Sequence, residues 1–277
     1  MPGVLYVVAT PIGNLEDVTL RALRVLADVD LIAAEDTRRT RTLLERHGIR
    51  RPVTSYYDAV ERERTPGLVE RMKDGQSVAL VSDAGTPHVA DPGYHLVRGA
   101  LAAGVAVVPI PGPSAVTTLV SVAGFRAERF VFEGFLPTRA GARAARLAAL
   151  ASESRAIVFF EAARRLDAFL AAAVEALGAD REAVVARELT KLHEELLRGT
   201  LGELQRRLGG RDVRGEVTVL VAGAAVEKPA LGVELDEQIR GARAAGQGIR
   251  QLSEDIARRT GRSRREVYRR ALALERR

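Results

Sequence analysis

The stretch S-V-A-L-V-S-D-A-G-T-P, residues 77–87, decides the fold. It opens with a short apolar run and breaks into a loop of glycine, proline and small polar residues. A run this short, closed by such punctuation, reads as a buried strand ending in a turn. The same grammar recurs on both sides. Val4 to Ala9 is an apolar run leading into T-P-I-G-N, residues 10–14, and Val105 to Ile110 is one leading into P-G-P-S-A, residues 111–115. Leu31 to Ala34 is also strand-like. Between these runs lie helical segments: Val18 to Leu26, with Leu20, Leu23 and Leu26 on one face, then Glu61 to Lys73 and Tyr94 to Ala103. Strands alternating with helices imply a largely parallel sheet flanked by helices.

P-I-P-G-P, residues 109–113, is the best candidate hinge between two domains. Beyond it a second α/β series is expected. Its strands are Phe130 to Phe132, Ala156 to Phe160, Ala183 to Glu188 and Gly215 to Ala222; its helices are Arg139 to Ala151, Arg164 to Leu177 and Leu201 to Leu208. Glu227, Lys228 and Pro229 punctuate its end. The expected organisation is an N-terminal α/β domain over 1–111, a C-terminal α/β domain over 112–226 and a basic helical tail over 227–277.

The composition, 47% hydrophobic and 28% charged, is that of an ordered globular chain. With no cysteine, disulfides, Cys-ligated zinc, iron–sulfur clusters and thiol nucleophiles are excluded. His47, His88, His95 and His193 show no metal-ligand spacing, so no metal site is expected. No basic-then-apolar leader opens the chain, so no signal peptide is expected. Between Arg98 and Arg126 no residue is charged, a length that invites a membrane helix. Pro109, Pro111 and Pro113 cannot sit in one, and a strand, a turn and a short helix fit instead.

The net charge of +6 is unevenly placed. Residues 241–277 hold eleven arginines against four acids, a balance of +7, which leaves −1 for the first 240 residues. A basic appendage on a near-neutral body is the footprint of a polyanion binder. Ala257, Gly261 and Val267 are spaced for a helix-turn-helix, which would offer Arg264, Arg265 and Arg269 to phosphates. A solvated tail in an arginine-rich composition, or a helical hairpin used for dimerisation, stays open.

In open α/β sheets ligands bind beyond the carboxyl ends of the strands. Three glycine- and proline-rich loops stand on that edge. Glycine lets backbone approach a ligand and proline keeps a loop rigid, so a flat polar molecule gripped largely through main-chain groups is expected. Simple tight turns are the alternative. Neither G-x-G-x-x-G nor G-x-x-x-x-G-K-[ST] occurs, so an ordinary dinucleotide fold or P-loop is unsupported. Acidic and basic side chains cluster on the same edge: E-D-T-R-R-T at 35–40, Glu161, and R-E-L-T-K-L-H-E-E at 187–195. Such clusters suit substrates, and equally suit ion pairs at a domain interface.

Taken in order, V-A-T-P-I-G-N-L-E-D-V-T-L-R-A, E-D-T-R-R-T, S-D-A-G-T-P, D-P-G, P-G-P-S-A, F-x-G-F-L-P, F-F-E and R-E-L-T-K-x-H-E-E resemble the tetrapyrrole-methylase-like superfamily. They are most similar to its branch of small-subunit ribosomal RNA methyltransferases. The resemblance implies two α/β domains with a cleft between them, S-adenosylmethionine in the cleft, and usually a homodimer. It further implies cytoplasmic 2′-O-methylation of a cytidine in 16S rRNA, within the 30S subunit. Carried over, the cofactor loops are Pro11 and Gly13, then Asp83, Ala84, Gly85, Thr86 and Pro87, then Pro111, Gly112 and Ser114. Candidates for an acid–base or charge-stabilising role are Asp36, Glu161, Glu188 and Lys191, with no choice among them; Arg38 and Arg39 are candidate phosphate holders. His88, Ala90 and Phe160 depart from the family pattern. Asn14 stands where the tetrapyrrole branch usually has an acidic residue. A small-molecule tetrapyrrole methyltransferase is the nearest alternative, and a non-enzymatic RNA-binding protein a further one.

Overall fold

The computed structural model describes residues 2–211, 214–225 and 233–275. They fall into two compact units, Met1–Ala224 and Ala225–Arg277. Glu227, Lys228 and Pro229 lie outside the described residues.

The first sheet holds β1 (Val4–Val8), β2 (Leu31–Ala34), β3 (Val53–Ser55), β4 (Val78–Val81) and β5 (Ala106–Ile110), all parallel, in the order β3-β2-β4-β1-β5. Helices α1 (Leu20–Asp28) and α2 (Thr37–Arg46) cover one face, burying Leu26 and Leu44 against Val8, Ile32 and Ile110. Helices α3 (Glu61–Lys73) and α4 (Tyr94–Ala102) cover the other, burying Met72 and Leu96 against Leu5 and Leu80. Sheets buried on both faces read as continuous apolar runs, which is why β2 and β4 are buried at every position. Neighbouring β1 and β4 send their connections to opposite sides, one to β2 and the other to β5. That divergence is a topological switch point, where a crevice opens beyond the strand ends.

After β5 the chain enters α5 (Ala115–Ser121) and then a second sheet. Its strands are β6 (Phe130–Phe135), β7 (Ala156–Ala162), β8 (Glu182–Arg187), β9 (Glu195–Thr200) and β10 (Glu216–Val221), ordered β6-β7-β10-β8-β9. Only β6 and β7 pair in parallel; the other neighbours are antiparallel. Helices α6 (Ala140–Ala149), α7 (Leu166–Leu177) and α8 (Leu201–Leu208) bury Leu147, Phe169 and Leu204 against Phe159 and Val219. The opposite face is covered by Val116 and Leu119 of α5 and by Ile12, from the loop after β1. A side chain of the first sheet's loop thus sits in the second sheet's core, and both sheets belong to one unit.

The second unit has three helices, α9 (Val233–Ala244), α10 (Ile249–Thr260) and α11 (Arg264–Glu275), packed around Leu235, Ile239, Leu252, Ile256, Val267 and Ala271. Gly261 ends α10 in the left-handed conformation, φ 68°, so the expected turn is present. Val267 is buried, whereas Ala257 is half-buried and its neighbour Ile256 fills the core. No helix among the described residues is long and apolar enough to cross a membrane.

Two strands escape the sequence reading, β3 and β9. Both are edge strands. Edges tend to be short or charged, which blunts unwanted pairing and erases the hydrophobic signature. β3 has three residues, and β9 lies in a charged run where only Leu197 is buried.

Candidate active site

The loops after β1 and β4 are tied together at the switch point. Thr10 N–H donates to the Gly85 carbonyl at 2.8 Å and Gly85 N–H returns the bond to Thr10 at 3.0 Å. Thr10 Oγ1 also donates to the Ser82 carbonyl at 3.1 Å. Gly85 has φ +74°, a left-handed conformation that suits glycine. The loop after β5 presses on the same strand end: a Cβ on Gly112 would sit 3.0 Å from Ala9 Cβ.

Gly13 does something other than admit a ligand. A Cβ there would lie 2.5 Å from Lys191 Cγ, 2.7 Å from Thr190 Oγ1 and 2.8 Å from the Leu189 carbonyl oxygen. Asn14 N–H donates to Thr190 Oγ1 at 3.0 Å. The T-P-I-G-N and R-E-L-T-K loops, nearly 180 residues apart in sequence, are therefore in contact, and glycine is what lets them close.

Between the sheets lies a cavity of about 370 Å³, within the range of small-molecule sites. Its first wall is Ile12, Ala84, Gly85, Thr86, Ser114 and Ala115; its second is Phe160, Glu161, Ala186, Leu189 and residues 215–218. Phe135 and Val89, both exposed, also line it, as do the charged Glu35, Arg39, Asp83 and Asp91. Phe160 packs edge-on to Phe132 at 5.0 Å and to Phe135 at 5.7 Å. The register of β6 shifts between Phe132 and Gly134, a bulge that re-aims Phe135. An adjoining cavity of about 300 Å³ shares Ile12, Arg39, Asp83, Ala84 and Glu216 and adds Pro11, Gly13 and Lys191.

Carboxylates dominate the lining, and most are engaged. Glu161, only 3% exposed, accepts from Arg165 Nε at 2.6 Å and from the Ala162 N–H at 2.8 Å. Glu216 accepts from Lys191 Nζ at 3.1 Å, and that ammonium also reaches Glu188 at 2.9 Å. Burial opposes both charges here. For Glu188 the Glu216 N–H and Lys191 outweigh it and lower the carboxyl; for Lys191 the two carboxylates outweigh it and raise the ammonium. Asp83 accepts the Asp36 N–H at 2.8 Å and pairs with Arg39 at 3.5 Å. Glu35 accepts the Asp83 N–H at 3.1 Å, and burial, the largest cause, raises its carboxyl.

Of the residues expected from sequence, Asp83, Ala84, Gly85, Thr86, Ser114, Glu161 and Arg39 meet at the main cavity, and Pro11, Gly13 and Lys191 at the adjoining one. Others stand apart. Asp36 caps α2 by accepting the Arg38 N–H at 2.8 Å, and its ion pair with Arg38 holds its carboxyl down to about 2. Arg38 is exposed at the surface. Pro87 is buried outside the lining, and Pro111 and Gly112, both exposed, follow β5 and are likewise outside it. Glu188 supports Lys191 from behind. Arg264, Arg265 and Arg269 are exposed on α11. Sequence reasoning did not select Glu35, Asp91, Phe135 or Glu216, all of which line the cavity.

Residues 4–205 match the family model described as Tetrapyrrole (Corrin/Porphyrin) Methylases. The chain is 46% identical, over 98% of its length and 92% of the relative's, to "Ribosomal RNA small subunit methyltransferase I" of Mesorhizobium japonicum. A protein of the same name from Thermotoga maritima is 47% identical over 80% of this chain and 99% of its own length. Among solved structures, the methyltransferase CobJ superposes with a TM-score of 0.62 at 21% identity, over 80% of this chain and 95% of that one. Uroporphyrin-III C-methyl transferase from Thermus thermophilus, complexed with S-adenyl homocysteine, gives 0.58 at 19% identity, over 79% and 97%. At such identities these two show a shared fold.

Proposed function

The chain belongs to the tetrapyrrole methylase family and, within it, to the ribosomal RNA small subunit methyltransferase I group, and from that premise we propose that it methylates the ribose 2′-hydroxyl of a cytidine in 16S rRNA. It is an rRNA methyltransferase with S-adenosylmethionine as its donor. The observation that carries the reading is the cavity between the two sheets, with its aromatic shelf and its surplus of carboxylates.

That lining fits the donor. When bound, S-adenosylmethionine supplies an electrophilic methyl group on a positively charged sulfur. Glu35 lines the cavity and has no salt-bridge partner among the described residues, so it leaves negative potential for a cationic ligand. Phe135 and Phe160 offer faces to a flat ring. Val89 and Phe135 add apolar surface to the rim of the cavity. Holding nucleophile and electrophile in line supplies much of the acceleration in a displacement of this kind.

We assign positioning roles to the engaged groups. Asp36 fixes the start of α2 and with it Arg39, which faces both cavities. Arg38 and Arg39 hold RNA phosphate. Glu188 and Glu216 hold the Lys191 ammonium at the edge of the adjoining cavity. The assembled 30S subunit as substrate, a homodimer as the working form and a cytoplasmic site of action are proposed from family membership.

The test is transfer of labelled methyl from S-adenosylmethionine to 30S subunits from cells lacking this gene, with a precorrin as the competing acceptor. Label on one 16S ribose, mapped by resistance to alkaline cleavage, is expected; label on the precorrin, on a base or on 23S rRNA overturns the reading. The helical unit is proposed to grip phosphate through Arg264, Arg265 and Arg269. Changing all three to glutamine should weaken rRNA binding and flatten its salt dependence by about two to three units of log–log slope, roughly one per lost contact. An unchanged slope in filter binding removes these arginines from the interface.

A further inference from the structure

We propose that the Asp91 carboxylate accepts the proton of the ribose hydroxyl as the methyl group is transferred, a role that rests on the function proposed above. The other carboxylates of the cavity are committed. Glu161 is held by Arg165, Glu216 by Lys191 and Asp83 by Arg39. Glu35 accepts the Asp83 N–H. Asp91 lines the cavity and has neither an ion-pair partner nor a backbone N–H donor among the described residues. A base must have a free lone pair on the reacting side; of the two carboxylates in this set without an ion pair, Glu35 accepts a backbone N–H and serves the cationic donor, and Asp91 remains for the proton.

The backbone around Asp91 is strained. His88 has φ 72° and Ala90 φ 64°, left-handed conformations that side chains other than glycine rarely adopt. Such strain persists only where the surroundings over-determine it, and it gathers at working sites. Here His88 N–H donates to the Pro92 carbonyl at 3.2 Å, and Gly93 N–H to Glu61 Oε2 at 3.1 Å.

The charges facing Asp91 are Glu35, Asp83 and Asp58, with Arg39 beside Glu35. Burial is the largest influence on its carboxyl and Glu35 the next; the Ser82 hydroxyl works in the opposite direction, and the carboxyl is pushed up to about 7. Such a group can take a proton and release it again near neutrality. The bond that forms joins ribose oxygen to the methyl carbon. The bond that breaks joins that carbon to sulfur, whose electron pair stays on sulfur as a neutral thioether. The hydroxyl proton ends on Asp91 and is lost to water after product leaves.

The sign of the pH effect on stability is fixed. A carboxyl raised in the folded state contributes stability that is fully present below its ordinary range and is lost as pH rises through about 7. Asp91→Asn should therefore melt higher than wild type at pH 8, with the gap narrowing below pH 7 and closing only near pH 4. Its kcat should fall by about two to four orders of magnitude, while binding of S-adenosylmethionine, read by calorimetry, changes little. Wild-type kcat should rise with pH toward a plateau; that of the variant should not follow it. Carboxyl carbon NMR of aspartate-labelled protein should show a resonance titrating near 7 in wild type that is missing in the variant.

A wild type that methylates no ribose overturns the function, and this assignment with it. An active wild type whose Asp91→Asn variant keeps its rate and pH profile overturns the assignment alone. A variant that melts lower at pH 8 makes Asp91 a structural residue, and likewise overturns it.

Discussion

Glu161→Ala should lower the melting temperature by roughly 6–12 °C. Glu161 is 3% exposed and Arg165, which it pairs with through Nε at 2.6 Å, is 22% exposed on its side chain. Removing one partner of a buried pair costs about 3–5 kcal/mol, because the other charge stays desolvated. The partial exposure of Arg165 argues for the low end, about 3 kcal/mol, and each kcal/mol is worth roughly 2–4 °C in a unit of this size. The Ala162 N–H would also lose its acceptor. Replacing both partners, Glu161→Ala with Arg165→Met, should recover most of the loss, since two apolar groups leave nothing unpaired. Circular dichroism melts of the three variants decide it. A single variant within about 2 °C of wild type would mean that the pair does not hold the β7 end.

Gly13→Ala should cost activity more than stability. The added methyl would lie 2.8 Å from a backbone oxygen and nearer still to Thr190 and Lys191, so a loop must move. Overpacking of this kind costs about 1–3 kcal/mol. The displaced loop also carries Ile12, which lines both cavities. A misplacement of about 1 Å at a reacting centre is worth roughly a hundredfold in rate. Methyl transfer should fall by at least tenfold in a protein that still folds, and a variant with unchanged kcat/KM would show that the two loops move independently of the chemistry. Gly67→Ala is the contrasting control. Gly67 is inside α3 with nothing within 4 Å of a new Cβ, so alanine should stabilise by about 0.5–1 kcal/mol.

Where burial wrote a periodic pattern, the sequence was readable. Helix Glu61–Lys73 has the bounds expected from its composition, and the all-parallel first sheet follows from strand–helix alternation. The three glycine- and proline-rich loops do meet on one edge, because β1, β4 and β5 are neighbours. What sequence spacing could not reveal was which polar group faces inward. Of the adjacent Glu35 and Asp36, Asp36 begins a helix. An aspartate there spends its carboxylate on the helix's free N–H groups, which leaves Glu35 for the cavity. Recognising the helix start in D-T-R-R-T would have redirected the choice. Asp91 had a signal in D-P-G, a break just ahead of α4. Glu216 had none: a charged residue opening a strand looks like solvent-facing polarity until β8 and Lys191 are laid beside it. The purpose of Gly13 was hidden for the same reason, since its partners lie nearly 180 residues downstream.

β10 is the last strand of its sheet to be synthesised, yet it lies at the centre, between β7 and β8. Until residues 216–221 leave the ribosome, β7 and β8 have no shared neighbour, and the wall made by residues 215–218 does not exist. Such distant pairing makes closure of this sheet a late and slow event. A nascent chain can complete its first sheet while still unable to hold a donor. Competence arises in one step near the end of this unit's synthesis, so truncated products would be silent rather than partly active.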